Sequence, residues 1–301
     1  MADERIIENE HIRCVLRPLD GGRLVSFIDK ASGREYIWTN KRTEHISRYY
    51  GANYDDVCAG GVEEAFPTGL ADEFHTDKLP FFGEFWSVPW RIQNQSENML
   101  ELSCYSAIYP IHLTKTYQLE GQSLSCGYLL QNEGPNEIPY LLGIHPSLNI
   151  KADDKLRLPP GEYHVGTAVN VPHALGKTFT WPLLNGRDLG IVASDHQSGE
   201  CLEFRSHPLR EGYIELLDQN KVFRVEFDPA YFPALSVWLI YGGWRGHYCI
   251  MTEFFTGWPF LLSEAIAKGK HTKIKAGETV STAVTYRLYQ HAGEINEHTN
   301  P

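Results

Sequence analysis

The sequence lacks the patterns that mark several large classes of protein. None of its six cysteines forms a Cys-x-x-Cys pair, and no cysteine–histidine cluster has the spacing of zinc ligands. No apolar stretch is long enough to cross a membrane, and the charged first residues contain no signal-peptide core. We therefore expect no metal and no membrane partner, and we expect a cytoplasmic protein whose reduced cysteines are buried as small hydrophobic residues.

Positive charge is also scarce. The 301-residue chain has a formal net charge of −11, and its lysines and arginines are scattered rather than clustered. A nucleic-acid partner is therefore not expected. The Gly-x-Ser-x-Gly, Gly-x-x-x-x-Gly-Lys-Ser/Thr and His-Glu-x-x-His motifs are missing as well. We expect no cofactor.

Apolar residues alternate with polar ones along much of the chain. Residues 113–119 and 123–131 both show a period of two, and a short turn containing Gly121 joins them, which predicts a β-hairpin. A second hairpin is predicted from residues 23–28 and 34–38. Further strands are predicted over residues 11–17, 100–109, 138–144, 201–205, 212–217, 222–227, 235–241, 247–254 and 280–289.

Helical periodicity is nearly absent. The exception is Leu261–Lys268, which follows Pro259 and ends at Gly269, a typical C-terminal cap. Antiparallel hairpins with almost no helices predict an all-β fold of the β-sandwich type. We expect one domain over residues 1–290 and a polar tail over 291–301, with long loops at 39–82 and 151–200.

Two residues combine useful chemistry with a suggestive position. His145 follows an apolar run and precedes Pro146, which favours an extended strand end, and imidazole suits general acid catalysis near neutral pH. Glu253 follows a predicted strand and precedes an aromatic, Gly/Pro-rich loop, where a dry cleft would raise its pKa toward that of a useful base. From position alone, either residue could instead be an ordinary strand-end side chain.

Several segments, taken together and in order, resemble the aldose 1-epimerase, or galactose mutarotase-like, family. They are Gly21-Gly22-Arg23-Leu24-Val25-Ser26-Phe27, Gly60-Gly61-Val62-Glu63-Glu64-Ala65-Phe66-Pro67, Phe82-Gly83-Glu84-Phe85-Trp86, Leu141-Leu142-Gly143-Ile144-His145-Pro146 and Thr252-Glu253-Phe254-Phe255-Thr256-Gly257-Trp258-Pro259. The resemblance implies an antiparallel β-supersandwich with a free sugar in an open cleft. It also implies that His145 protonates the sugar ring oxygen and that Glu253 takes the proton of the anomeric hydroxyl.

The sequence departs from the family pattern in three positions. The arginine that often follows the phenylalanine-proline motif is absent, since Thr68 and Gly69 follow Pro67, and Phe254 stands where a proline usually follows the late glutamate. Phe82 occupies the position of a second family histidine, and His75 is a candidate to replace it. We expect Glu64, Glu84, Trp86, Asp218 and Trp238 to contact the sugar, and Trp244 is a further candidate platform. Neighbouring residues of an extended chain point to opposite sides, so only one of Glu63 and Glu64 can face a given cleft.

Two alternatives to an epimerase remain open at this point. The loss of the second histidine suggests a carbohydrate-binding protein without catalytic activity. Glycoside cleavage would instead require a pair of carboxyl groups, for example Glu253 with Glu64 or Glu84. A free sugar is the expected partner of both an epimerase and a binding protein. The protein is expected to be a monomer or a homodimer.

Overall fold

The computed structural model describes residues 4–46, 48–74, 77–194, 198–218 and 221–291. Its elements are, in chain order, β1 (Arg5–Glu8), β2 (Ile12–Arg17), β3 (Arg23–Asp29), β4 (Arg34–Glu35), α1 (Tyr54–Val57), β5 (Val62–Ala65), β6 (Asp72–Phe74), β7 (Asp77–Leu79), β8 (Arg91–Gln95), β9 (Met99–Tyr105), β10 (Ile111–Glu120), β11 (Ser123–Asn132), β12 (Ile138–Tyr140), β13 (Gly143–Leu148), β14 (Lys155–Arg157), β15 (Glu162–Val169), β16 (Thr178–Thr180), β17 (Leu183–Leu184), β18 (Arg187–Asp188), β19 (Glu200–Ser206), β20 (Tyr213–Leu217), β21 (Lys221–Phe227), β22 (Ala234–Tyr241), β23 (Tyr248–Phe255), α2 (Leu262–Ala267), β24 (Thr272–Ile274) and β25 (Thr279–Gln290).

These strands form two large antiparallel sheets. The first has eleven strands in the order β1-β2-β3-β5-β13-β23-β22-β19-β15-β16, with β4 paired to β3. The second has eight, in the order β14-β20-β21-β25-β11-β10-β9-β8. Strands account for 52% of the chain and helices for 4%, so the prediction of an all-β antiparallel fold is confirmed.

The two sheets pack face to face over one large apolar core. Phe227 of the second sheet stacks on Phe254 of the first with ring centroids 4.0 Å apart. The predicted hairpin is confirmed as β10 and β11, where Leu113 pairs with Leu130 and Tyr117 with Cys126, and all these side chains are buried. Burial of every second residue on such long strands supplies the main stabilising free energy of the fold.

The predictions of one short helix and of buried, unpaired cysteines are confirmed. The predicted helix is confirmed as α2, and Gly269 beyond its end has the left-handed φ of 63° expected of a cap. All six cysteines are buried and unpaired, as expected. No helix among the described residues is both long enough and apolar enough to span a membrane.

The prediction of long loops at residues 39–82 and 151–200 is wrong. The first contains α1, β5, β6 and β7, and the second contains β14 to β18. Most of these strands have two to four residues, and β5 is Val-Glu-Glu-Ala, so they are too short to give an alternating apolar signal. Strand β15 is the exception, with eight residues of which Tyr163 and Val165 are buried. The single domain over 1–290 stays a prediction, and the predicted tail lies, apart from His291, outside the described residues.

Candidate functional site

One row of polar side chains crosses five neighbouring strands of the larger sheet. From β5 to β19 the row consists of Glu63, His145, Glu253, Ser236 and Arg205. The strand register pairs Glu63 with His145, Glu253 with Ser236, and Ser236 with Arg205. The pairs on either side of His145 place it opposite Glu253. Residues directly opposite one another on a sheet point to the same face. Strand pairing alone therefore gathers this polar row.

Four members of the polar row, all except Glu63, form part of the floor of an open cleft of about 360 Å³. This volume lies at the lower end of the roughly 300–1,000 Å³ found for small-ligand sites. The cleft is lined by Tyr54, Asp55, Leu70, Phe81, Phe82, His145, Glu203, Arg205, Ser236, Trp238, Ile240, Trp244, Met251, Glu253 and Phe260. Its walls are thus mostly aromatic and aliphatic, and the polar groups are concentrated on the floor.

His145 and Glu253 meet in this cleft. The His145 Nε2 atom lies 3.7 Å from Glu253 Oε1, and the two side chains are 3% and 10% exposed. Both residues lie within strands, β13 and β23, rather than at the strand ends predicted for them. Strand β13 continues past His145 through Pro146, although a proline has no N–H to donate to the ladder of hydrogen bonds. Central strands hold the two side chains more rigidly than loops would.

The surroundings of Glu253 favour its protonated form. Burial raises the pKa of this carboxyl above its ordinary value; the nearby His145 opposes the rise, whereas the carboxyl of Glu203 adds to it. A carboxylate with a raised pKa is a stronger base than one in water, so burial fits Glu253 to accept a proton.

Behind His145 lies a second, fully buried carboxyl group. Glu63 Oε2 lies 3.4 Å from His145 Nδ1 and accepts a hydrogen bond of 3.0 Å from the Tyr54 hydroxyl, and Arg23 donates to Glu63 Oε1 at 3.1 Å. Burial alone would raise the pKa of Glu63, but the hydrogen bond to His145 and the positive charges of Arg23 and Arg48 hold it below its ordinary value. Glu63 is therefore a carboxylate at neutral pH.

The sequence analysis missed a second polar cluster in the cleft. Glu203 is completely buried; its Oε1 accepts from the Ser236 hydroxyl at 3.0 Å and from Arg205, and its Oε2 has no partner among the described residues. The signal in the sequence was weak: two charged residues flank Phe204 in a strand that is otherwise mainly apolar. Buried carboxylate oxygens without a donor are rare. This oxygen lies against Gly166 of β15, where an added Cβ would come within 2.4 Å of it.

Two of the predicted tryptophans lie in the cleft, and so does Phe82, which occupies the position of the second family histidine. Trp238 is half-buried on the strand beside Glu253, and Trp244 lines the opposite rim. Phe82 has a left-handed φ of 58°, and its ring centroid is 5.0 Å from that of His145. An apolar ring therefore covers one side of the imidazole. His75 lies outside the described residues.

The prediction that Glu64 contacts the sugar is wrong. Glu64 points to the opposite face of β5 from Glu63, into the core between the sheets, and is 0% exposed. There it accepts from Lys115 Nζ at 2.7 Å and from the Tyr128 hydroxyl at 3.0 Å. The alternation of side chains along a strand gives the two consecutive glutamates different surroundings.

Three further predicted sugar contacts also lie outside the cleft. Glu84 is buried and accepts hydrogen bonds from the Ser106 hydroxyl and the Ala107 amide. Trp86 is fully buried behind the cleft, where its indole N–H donates to backbone carbonyls. Asp218 lines a separate depression and accepts from the Tyr36 hydroxyl at 3.2 Å. Neither Glu64 nor Glu84 can therefore form the carboxyl pair with Glu253 that glycoside cleavage required.

Comparison with solved structures identifies the fold. No family model matches the sequence, and no curated protein matches it at a significant level. The Slr1438 protein of Synechocystis sp. PCC 6803 superposes with a TM-score of 0.73 at 18% identity, over 97% of each chain. A provisionally named aldose 1-epimerase of Escherichia coli K12 gives 0.71 at 11% identity, over 97% of this chain and 100% of that one. A galactose mutarotase-like protein of Clostridium acetobutylicum gives 0.69 at 14% identity, over 97% and 99%. The chain therefore has the galactose mutarotase-like fold, as the resemblance implied.

Proposed function

We propose that this protein is an aldose 1-epimerase, which interconverts the α and β anomers of a free aldose. The observation that carries the proposal is the pair of His145 Nε2 and Glu253 Oε1, 3.7 Å apart on the floor of an open cleft. The ring oxygen and the anomeric hydroxyl of an aldose are bonded to the same carbon. An acid and a base that serve both oxygens must lie close together, and this pair does.

The reaction needs two proton transfers and one bond cleavage. Glu253 accepts the proton of the anomeric hydroxyl, and the His145 imidazolium donates its Nε2 proton to the ring oxygen. The bond between the anomeric carbon and the ring oxygen breaks, which leaves an open-chain aldehyde. Rotation about the C1–C2 bond and the reverse transfers close the other anomer and return both protons.

The rest of the cleft suits a neutral sugar. Trp238 and Trp244 offer aromatic faces to the C–H groups of a pyranose, and Glu203 with Arg205 offers an acceptor and donors to its hydroxyls. The known names of structural neighbours agree with this assignment, since one is a galactose mutarotase-like protein and another carries an aldose 1-epimerase name.

The experiment is polarimetry on freshly dissolved α-glucose and α-galactose. Each positioned proton transfer contributes about 10²–10⁴-fold to the rate, so His145→Ala and Glu253→Ala should each lower the catalysed rate by that order. Glu226→Ala, which removes a carboxylate 43% exposed on the second sheet, is the matched control and should be as active as the wild type. Equal rates in all four proteins would refute the assigned roles.

Phe82 supports a second candidate, a sugar-binding protein without catalytic activity. A phenyl ring cannot donate or accept where the resemblance implies a histidine. Titration calorimetry combined with polarimetry separates the two candidates: a binding protein gives heat on addition of sugar but leaves anomer exchange at the uncatalysed rate.

A further inference from the structure

The two consecutive glutamates of β5 lie in different surroundings, and one of them, Glu63, contacts the proposed acid His145. Glu63 is directly opposite His145 in the strand register and is 0% exposed. Its two carboxylate oxygens have separate partners: Oε1 accepts from Arg23, and Oε2 faces the Tyr54 hydroxyl and His145 Nδ1. The guanidinium thus fixes one oxygen while the other is presented to the imidazole.

Both oxygens of Glu63 take part in the buried polar network. Arg23 also donates to the carboxylate of Asp20, which accepts from Arg48 as well, so Glu63 and Asp20 together balance two buried guanidinium groups. The other oxygen, Oε2, accepts from the Tyr54 hydroxyl at 3.0 Å. A carboxylate oxygen can accept more than one hydrogen bond, so Oε2 can also accept from His145 Nδ1.

We infer that Glu63 is a positioning residue that holds the Nδ1 proton of His145 and thereby makes Nε2 the nitrogen that exchanges a proton with the substrate. An ionised carboxylate can only accept, so Nδ1 is the donor at its 3.4 Å contact with Glu63. The Tyr54 hydroxyl lies 3.3 Å from Nδ1 and donates its one proton to the same carboxylate oxygen at 3.0 Å, so toward Nδ1 it too can only accept. Nε2 then points to Glu253 and into the cleft.

The expected effect on kcat rests on the proposed function, whereas the expected protonation of His145 Nδ1 does not. Partners that orient a functional histidine typically contribute about 10–100-fold to activity. Glu63→Gln keeps the shape of the side chain and removes the charge. We expect it to lower kcat by about 10–100-fold and to change KM less than twofold, because Glu63 does not line the cleft.

The direct readout is the ¹⁵N spectrum of histidine-labelled protein, in which protonated and bare ring nitrogens have distinct shifts. His145→Gln identifies the His145 signals by their loss. In the wild type at neutral pH we expect Nδ1 of His145 to be protonated, and in Glu63→Gln we expect the two nitrogen signals to shift. Glu64→Gln is the matched control: the same change, one residue away and equally buried, should leave the His145 signals in place.

The outcomes separate the two proposals. A wild-type spectrum with a bare Nδ1 and a protonated Nε2 overturns the inference, even if Glu63→Gln does not fold. Unchanged His145 signals in folded Glu63→Gln overturn it as well. A wild type that leaves anomer exchange at the background rate, but whose His145 signals respond to Glu63→Gln and not to Glu64→Gln, refutes the epimerase and supports the positioning role.

Discussion

Replacing Lys115 with methionine tests the placement of Glu64 in the core. Lys115 and Glu64 are both 0% exposed, with 2.7 Å between Nζ and Oε2, and Nζ also lies 4.3 Å from the ring centroid of Trp90. Methionine fills a similar volume but leaves the carboxyl of Glu64 without its cation, with only the Tyr128 hydroxyl as a donor. Removing one partner of a buried ion pair costs about 3–5 kcal/mol, which corresponds to a fall of roughly 5–8 °C in Tm for a chain of 301 residues.

The loss should depend on pH in a definite direction. Burial raises the pKa of Glu64 and Lys115 opposes the rise, so the variant raises it further. The folded variant then holds a proton that the unfolded chain releases above about pH 4.3, and its stability falls as the pH rises through the folded pKa. The deficit relative to the wild type is therefore larger at pH 7 than at pH 5.

The assay is urea denaturation followed by circular dichroism at both pH values, with polarimetry on the folded protein. Lys273→Met is the control, since its ion pair with Glu137 is exposed and worth about 0–1 kcal/mol. Adding Glu64→Gln to Lys115→Met removes the stranded charge and should restore part of the loss. Equal stabilities of the two lysine variants would refute the buried pair. Loss of activity in folded Lys115→Met would indicate that Glu64 contributes to the site in the cleft.

Three further predictions concern the cleft. Because burial raises the pKa of Glu253, the acid limb of the pH profile of kcat/KM should lie above the ordinary carboxyl value of about 4.3; a limb at or below that value would contradict its role as the base. Phe82→His places a donor beside His145 in a backbone conformation that histidine tolerates, and one added hydrogen bond of about 0.5–1.5 kcal/mol should lower KM for galactose roughly 2–12-fold; an unchanged or higher KM would count against a hydroxyl at that position. Trp238→Leu removes an aromatic face worth about 0.5–1.5 kcal/mol, which should weaken sugar binding by calorimetry roughly 2–12-fold; undiminished affinity would show that the sugar does not stack there.

The candidate site shows what local pattern can and cannot predict. His145 and Glu253 could be singled out from their neighbours in the chain because each combines a titratable side chain with a strand and a following proline or aromatic loop. Glu203 and Arg205 could not, because charged residues in a strand usually face solvent. Glu64, Glu84 and Trp86 belong to the quoted motifs yet are buried away from the cleft, since a motif does not state in which direction a side chain points.

The sequence by itself determined the period-two strands, the hairpin of β10 and β11, the short helix α2 and the all-β class, because each depends on residues close together in the chain. Only the tertiary structure decided the order of β5, β13, β23, β22 and β19. These strands come from distant parts of the chain, and their register is set by hydrogen bonds and burial across the sheet rather than by local propensity. That register brings His145 beside Glu253, places Glu63 next to His145, and directs Glu64 into the core between the sheets.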